Sequence, residues 1–223
     1  MRHRRADPQK IDLRSIRKTH RDRRSAIRQR LGEFESLRMN GTDERLWEEM
    51  VYCFFTGGCS AKMGLRSVSA VRSLLADGNE SQLSRALTGV HRYPNARSRY
   101  IVASRKFLNE NFGMKLRDLL DGFDCPIERR DWLVNEKGIK GLGYKEASHF
   151  LRNVGFKGYA ILDKHVLRCL CELKIIDDPK PPNSRSRYLT IEDKVKYLAK
   201  TVRIDLDELD LVLWSMKTGE ILK

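Results

Sequence analysis

The chain has 223 residues, enough for one large core or two small ones, with 40% hydrophobic and 33% charged residues. Lys and Arg exceed Asp and Glu by 14, which favours a polyanionic partner, nucleic acid first, because clustered cations release its counterions on binding; charge alone also fits a ribosomal or membrane-surface protein. Nothing approaches the roughly twenty apolar residues that cross a bilayer, no signal-peptide apolar centre stands near the start, and Cys53, Cys59, Cys125, Cys169 and Cys171 lack even pairing and C-x-x-C spacing, so free thiols in a soluble intracellular protein are expected and a four-cysteine iron–sulfur cluster is not.

Residues 1–30 carry twelve Lys and Arg against Asp7, Asp12 and Asp22. Ile11, Leu13, Ile16, Ile27 and Leu31 form only a sparse apolar pattern, which predicts a basic arm or helix over 1–30, either solvated or touching a DNA backbone. The remainder, 31–223, is expected to form one helical domain. "DERLWEEMVYCFF" (43–55) sets Leu46, Trp47, Met50, Val51, Phe54 and Phe55 on one broad face. That segment is predicted as a helix capped by Asp43 and stopped by Gly57-Gly58. "SAKMGLRSVSAVRSLL" and "ESQLSRALTGV" predict short helices capped at or near Ser60 and Ser81. "NARSRYIVASRKFLNENFG" ends on Gly113, "MKLRDLLDGF" is short, and Pro126 begins "IERRDWLVNEKG". "KEASHFLRNVG" and "DKHVLRCLCELKII" follow. "DDPKPPNSRSRYLT" is predicted as a loop and the clearest break, before "IEDKVKYLAKTVR" and "LDELDLVLWSMKTG". Period-two alternation is almost absent, so the fold is predicted all-α with roughly ten helices.

The segment "GIKGLGYKEASHFLRNVG" (138–155) places three glycines ahead of an amphipathic helix that starts at Tyr144 or Lys145. Glycines allow a sharp turn and a close backbone approach. A helix start offers unpaired N–H groups and partial positive charge, so a phosphate fits there. The spacing G-x-x-G-x-G after a helix differs from the G-x-G-x-x-G after a strand that binds dinucleotides. Lys145 then fits either a phosphate contact or a nucleophile. Asp163, before the apolar helix of "AILDKHVLR", reads by itself as an N-cap.

Together these residues resemble a known family. Ile139-Lys140-Gly141-Leu142-Gly143 fills the apolar-x-G-apolar-G pattern of the helix–hairpin–helix motif of DNA-repair proteins. Lys145 two residues later, with Asp163 eighteen further on, resembles the helix–hairpin–helix–GPD superfamily of DNA glycosylases. The resemblance implies an all-α fold of two helical lobes flanking a DNA-binding cleft. It is endonuclease III-like but without the iron–sulfur cluster, since only Cys169 and Cys171 follow Asp163, and its motif covers about 128–153. With no strands to spare for the β-rich domain of the eukaryotic enzymes, the chain looks like the archaeal-type (type 2) 8-oxoguanine DNA glycosylase/lyases.

That resemblance implies Lys145 as the attacking amine and Asp163 as the carboxylate assisting it, with Ile139, Gly141, Gly143 and Tyr144 at the DNA backbone. The closing "WSMKTGEILK" sets Trp214 and Lys223 nine residues apart, as in that family, where they meet the flipped base. Oxidised guanine carries a donor at N7 where guanine has an acceptor, so an acceptor at the end of the chain would select it. Otherwise Trp214 reads as core and Lys223 as a solvated terminus. His149, one turn beyond Lys145, either lines the same pocket or is an ordinary satisfied histidine. Phe54, Phe55 and Tyr100 fit core packing better than stacking on a base. The implied partner is duplex DNA containing oxidised guanine, with no membrane, metal or organic cofactor, and the protein is expected to be a monomer. Two other readings stay open: a glycosylase/lyase for another lesion such as an oxidised pyrimidine, and a non-catalytic DNA-binding module.

Overall fold

The computed structural model describes residues 11–223, so the start of the basic N-terminal stretch lies outside the described residues. Among them there is no strand. Eleven α-helices follow one another: α1 (Leu13–Asn40), α2 (Asp43–Thr56), α3 (Ala61–Val71), α4 (Glu80–Leu87), α5 (Pro94–Phe112), α6 (Leu116–Asp121), α7 (Pro126–Asn135), α8 (Tyr144–Asn153), α9 (Lys164–Glu172), α10 (Arg185–Val202) and α11 (Leu206–Thr218). A 3-10 turn, Arg72–Leu74, extends α3.

The helices form two compact units. Of the described residues, one comprises 11–29 and Leu162–Ile221; the other comprises Arg30–Ile161 with Leu222–Lys223. The expected arm over 1–30 is, where described, the first part of α1, and that helix does not end at residue 30. It runs on through Gly32 to Asn40. A helical glycine costs about 1 kcal/mol. Against this, Phe34 is buried and the Arg38 guanidinium lies 4.2 Å from the Phe156 ring centre.

In the first unit, α11 packs on α9 and α10. The buried side chains include Ile16, Ile27, Val166, Leu170, Val195, Leu209 and Val212. Arg28 Nε bonds Glu208 Oε1 at 2.7 Å, His20 Nε2 meets the other oxygen, and Arg23 donates to the Ser215 carbonyl at 3.3 Å. In the second unit α2 is central, packed on α3, α5, α6 and α8. From Leu46 to Thr56 it is buried all round, which is why its apolar face reads as unusually broad.

Some predicted boundaries shift for identifiable reasons. Thr42, not Asp43, occupies the N-cap of α2, and the Asp43 carboxylate instead accepts the Arg117 N–H at 2.8 Å. Asn79, not Ser81, caps α4 in a reciprocal capping box with Gln82. The stretch expected as a loop through Thr190 is helical from Arg185, because Ser184 caps it and Tyr188 is buried in the core. Ser60 and Gly113 stand at the helix ends expected of them.

The five cysteines are all free thiols. Burial pushes the Cys53 thiol up, and it pushes Cys169 up to about 12. Only a thiolate reacts quickly, so a thiol reagent added to the native protein should label Cys59, Cys125 and Cys171 while sparing Cys53 and Cys169 until denaturant is added. Five equally fast thiols would contradict this packing.

Candidate functional site

The turn between α7 and α8 is built from the backbone outward. Glu136 closes it, its carboxylate accepting the Gly138 N–H at 2.8 Å and its carbonyl the Ile139 N–H at 3.1 Å. Ser104 Oγ takes the Lys140 N–H at 2.9 Å. Ile139 and Leu142 are buried in the core of the second unit. Gly138 and Gly141 let the chain lie this low. A Cβ on Gly138 would run into the Phe107 ring, and one on Gly141 would come within 2.5 Å of Tyr100, at a φ of +80°.

Beyond these anchored residues the donors change character. Among the described residues no acceptor meets the amides of Gly141 and Gly143. Gly143 is the N-cap of α8 and has no side chain to take up the helix's first N–H groups. By contrast Ser60, Asn79, Asp163, Ser184 and Asp205 all cap their helices with a side-chain oxygen. The Gly141 and Gly143 amides are therefore left for an outside acceptor, and the dipole of the helix that follows favours an anion. Ile139 offers neither its amide nor its side chain and serves as an anchor.

Lys145 stands in the first turn of this helix. Its side chain is 23% exposed and its Nζ lies 3.6 Å from Glu146 Oε1. Beneath it the Cys53 thiol is held up by burial and then by the Glu49 carboxylate, with the Lys145 charge opposing both. An amine beside a carboxylate at the mouth of a buried cluster can be held in place and can hand over a proton.

One turn on, His149 is buried, with its ring edge-on to Tyr52 at 5.5 Å. Desolvation, followed by the Arg152 and Lys145 charges, pushes it well below 6.5, so the ring is neutral near pH 7. The Lys223 main chain opposes that shift, and the His149 Nδ1 has no hydrogen-bond partner among the described residues. Lys223 is no loose end. Its Nζ pairs with buried Glu49 and lies 5.4 Å from the Tyr52 ring centre, and the Tyr52 hydroxyl donates to its carbonyl at 3.5 Å. Glu49 in turn accepts from Asn153 Nδ2 at 3.2 Å.

Asp163 belongs to the first unit, as the N-cap of α9. One oxygen, Oδ1, accepts the N–H groups of His165 and Val166, both at 2.8 Å, which leaves Oδ2 outside the cap. The half-buried Trp214 sits edge-on to His165 with centroids 6.3 Å apart, so it is not the core residue it could have been.

Thus Gly141, Gly143, Tyr144, Lys145, His149 and Lys223 share the second unit, while Asp163 and Trp214 belong to the first. Phe54 and Phe55 are fully buried and Tyr100 supports Gly141, so all three are packing residues. Sequence reasoning missed Glu49, Tyr52 and Glu146. A carboxylate at position 49, three after Leu46 and four before Cys53, falls on the inner stripe of α2, and that was its signal.

Comparison with known proteins gives a consistent picture. A family model described as 8-oxoguanine DNA glycosylase matches residues 27–204. The chain is 41% identical over 201 residues to an 8-oxoguanine DNA glycosylase/AP lyase of Korarchaeum cryptofilum, covering 90% of this chain and 91% of that one. It is 36% identical over 198 residues to the enzyme of the same description from Methanocaldococcus jannaschii, covering 88% and 91%. The solved structure of the M. jannaschii 8-oxoguanine glycosylase/lyase in complex with a 15mer DNA containing 8-oxoguanine is similar at a TM-score of 0.87 and 33% identity, over 95% of this chain and 99% of that one.

The Glu49–Lys223 pair makes a stability prediction. Removing one partner leaves a charge buried without compensation. Lys223→Met should lower stability by roughly 1–3 kcal/mol in urea unfolding, less than a fully buried pair because Lys223 is partly exposed. In a double-mutant cycle with Glu49→Gln the two losses should be non-additive. Additivity within about 0.5 kcal/mol would mean the pair does not couple.

Proposed function

Because this chain belongs to the 8-oxoguanine DNA glycosylase family, we propose that it flips 8-oxoguanine out of duplex DNA, excises it, and nicks the strand at the abasic site through a Schiff base. The observation that carries the reading is Lys145: a partly exposed amine in the first turn of a helix whose N-cap is a glycine. The amides of Gly141 and Gly143 take the backbone phosphate, with Tyr144 beside it and Ile139 fixing the hairpin beneath them. A phosphate held there brings the sugar of the target nucleotide to Lys145.

The chemistry follows from the residue types. The neutral Lys145 amine attacks C1′ of the deoxyribose. The C1′–N9 bond breaks, its electron pair leaves with the base, and the base takes up a proton as the amine loses one. Asp163 supplies the negative charge that stabilises the cationic sugar and helps remove the amine proton. Its capping bonds fix the carboxylate through Oδ1, and Oδ2 is the oxygen available for this work. Ring opening gives the C1′=N Schiff base, which acidifies the proton on C2′. Loss of that proton and rupture of the C3′–O bond cut the strand, and water releases Lys145.

The base is recognised by Trp214, Lys223 and His149. Trp214 offers a half-exposed ring for stacking, and Lys223 is held so that its main-chain acceptor has a fixed position. His149, neutral, brings an unpartnered Nδ1 to the Lys223 and Tyr52 side of the second unit. The protein acts as a monomer, and its five unpaired thiols suit a reducing, intracellular compartment.

Borohydride reduction of the protein with a duplex containing 8-oxoguanine opposite cytosine should trap a covalent complex, and Lys145→Gln should abolish it. Asp163→Asn keeps an N-cap acceptor, so the protein should fold while excision slows by at least about 100-fold. Full trapping by Lys145→Gln, or wild-type excision by Asp163→Asn, would overturn the assignment of that residue.

A further inference from the structure

In the first unit's share of α1, Arg14, Arg17, Lys18, Arg21, Arg24 and Arg28 are all exposed and recur at intervals of three or four residues. At 1.5 Å per residue they make one cationic stripe about 21 Å long. The opposite side of the helix is tied down by buried Ile16 and Ile27 and by the contact of His20 with Glu208. The stripe is therefore held outward by the fold.

Little within the protein neutralises it. Lys18 pairs with Asp22 at 2.8 Å and Arg28 with Glu208 at 2.7 Å. Arg17 donates to the carbonyls of Thr201 at 3.0 Å and Val202 at 3.4 Å, acceptors that leave its charge in place. Arg14, Arg21 and Arg24 form no ion pair with an acidic side chain among the described residues, although the neighbouring Asp22 carboxylate feels the Arg21 charge. Through Arg17 the stripe meets the end of α10, where Lys200 and Arg203 are also exposed. Residues 14–24 precede the 27–204 that match the family model.

We propose that this stripe is a second DNA-binding surface, which holds the sugar–phosphate backbone of undamaged duplex outside the contact made by the hairpin. Guanidinium groups suit phosphate oxygens, and a row of them suits a polymer with one charge per about 1.7 Å. Leu13 at its start is the one exposed large apolar residue between residues 13 and 29 of this helix, too little for the apolar face that an amphipathic helix inserts into a membrane or that anchors a protein interface. The proposal rests on DNA being the substrate, as argued above.

The test measures affinity for an undamaged duplex as a function of salt. Replacing Arg14, Arg21 and Arg24 together by Gln, all at exposed helical positions, should make the slope of log affinity against log salt shallower by about 2–3. Trapping on the lesion duplex at low salt should keep its wild-type yield. A second variant, Lys174→Gln with Lys180→Gln and Lys194→Gln, removes the same charge from the same unit and should leave the slope unchanged. An unchanged slope in the arginine variant, or an equal change in both, overturns the proposal. So does loss of binding to anionic phosphatidylserine vesicles with duplex affinity intact, which would assign the stripe to a membrane. Failure of trapping in the wild type would strike the excision reading alone, because undamaged duplex binding needs no lesion.

Discussion

Everything proposed for the second unit depends on two glycines lying against two aromatic rings. Gly138 sits on Phe107 and Gly141 on Tyr100, at distances that leave no room for a Cβ. This contact lets Ile139 and Leu142 sink into the core while the chain turns, and it sets the direction in which α8 departs. The helix then begins at an N-cap without a side chain, with Lys145 in its first turn. The proposed phosphate grip and the proposed nucleophile are two consequences of one packing constraint, carried by different atoms. An alanine at either glycine would push the turn off its rings and move both.

Buried charge gives this unit its second fixed point. Glu49 is taken out of water on the inner side of α2 and is satisfied by Asn153 from α8 and Lys223 from the end of the sequence. Such a pair adds little net stability over an apolar filling, yet it specifies which group may lie there. With Tyr52 and neutral His149 it holds Lys223 in one place, which is what the proposed role in reading a base requires.

Local signals were the readable ones. Asp163 announced itself as an N-cap before an apolar helix, and the glycines announced a turn, because both effects act within a few residues. Asp43 and Thr42 are both good caps, and the choice between them was made by the Arg117 amide, 74 residues away. The helix start at Arg185 was hidden because Tyr188 finds its core only in the fold. Glu49 stood visibly on an apolar stripe, but its partner Lys223 lies 174 positions along the chain, beyond the reach of any periodicity. The pattern at Lys145 and Asp163 was legible only as a pair, through the spacing that carries the family resemblance.

The central claim is that Lys145, and no other amine, becomes bonded to the sugar. Lys223 is the natural competitor, since it too is an amine of the second unit, but its Nζ is already paired with Glu49. Peptide mapping by mass spectrometry of the borohydride-reduced complex, after nuclease digestion, decides between them. The account predicts the sugar remnant on the peptide containing Lys145. A remnant on Lys223, or on the α-amino group, would contradict it.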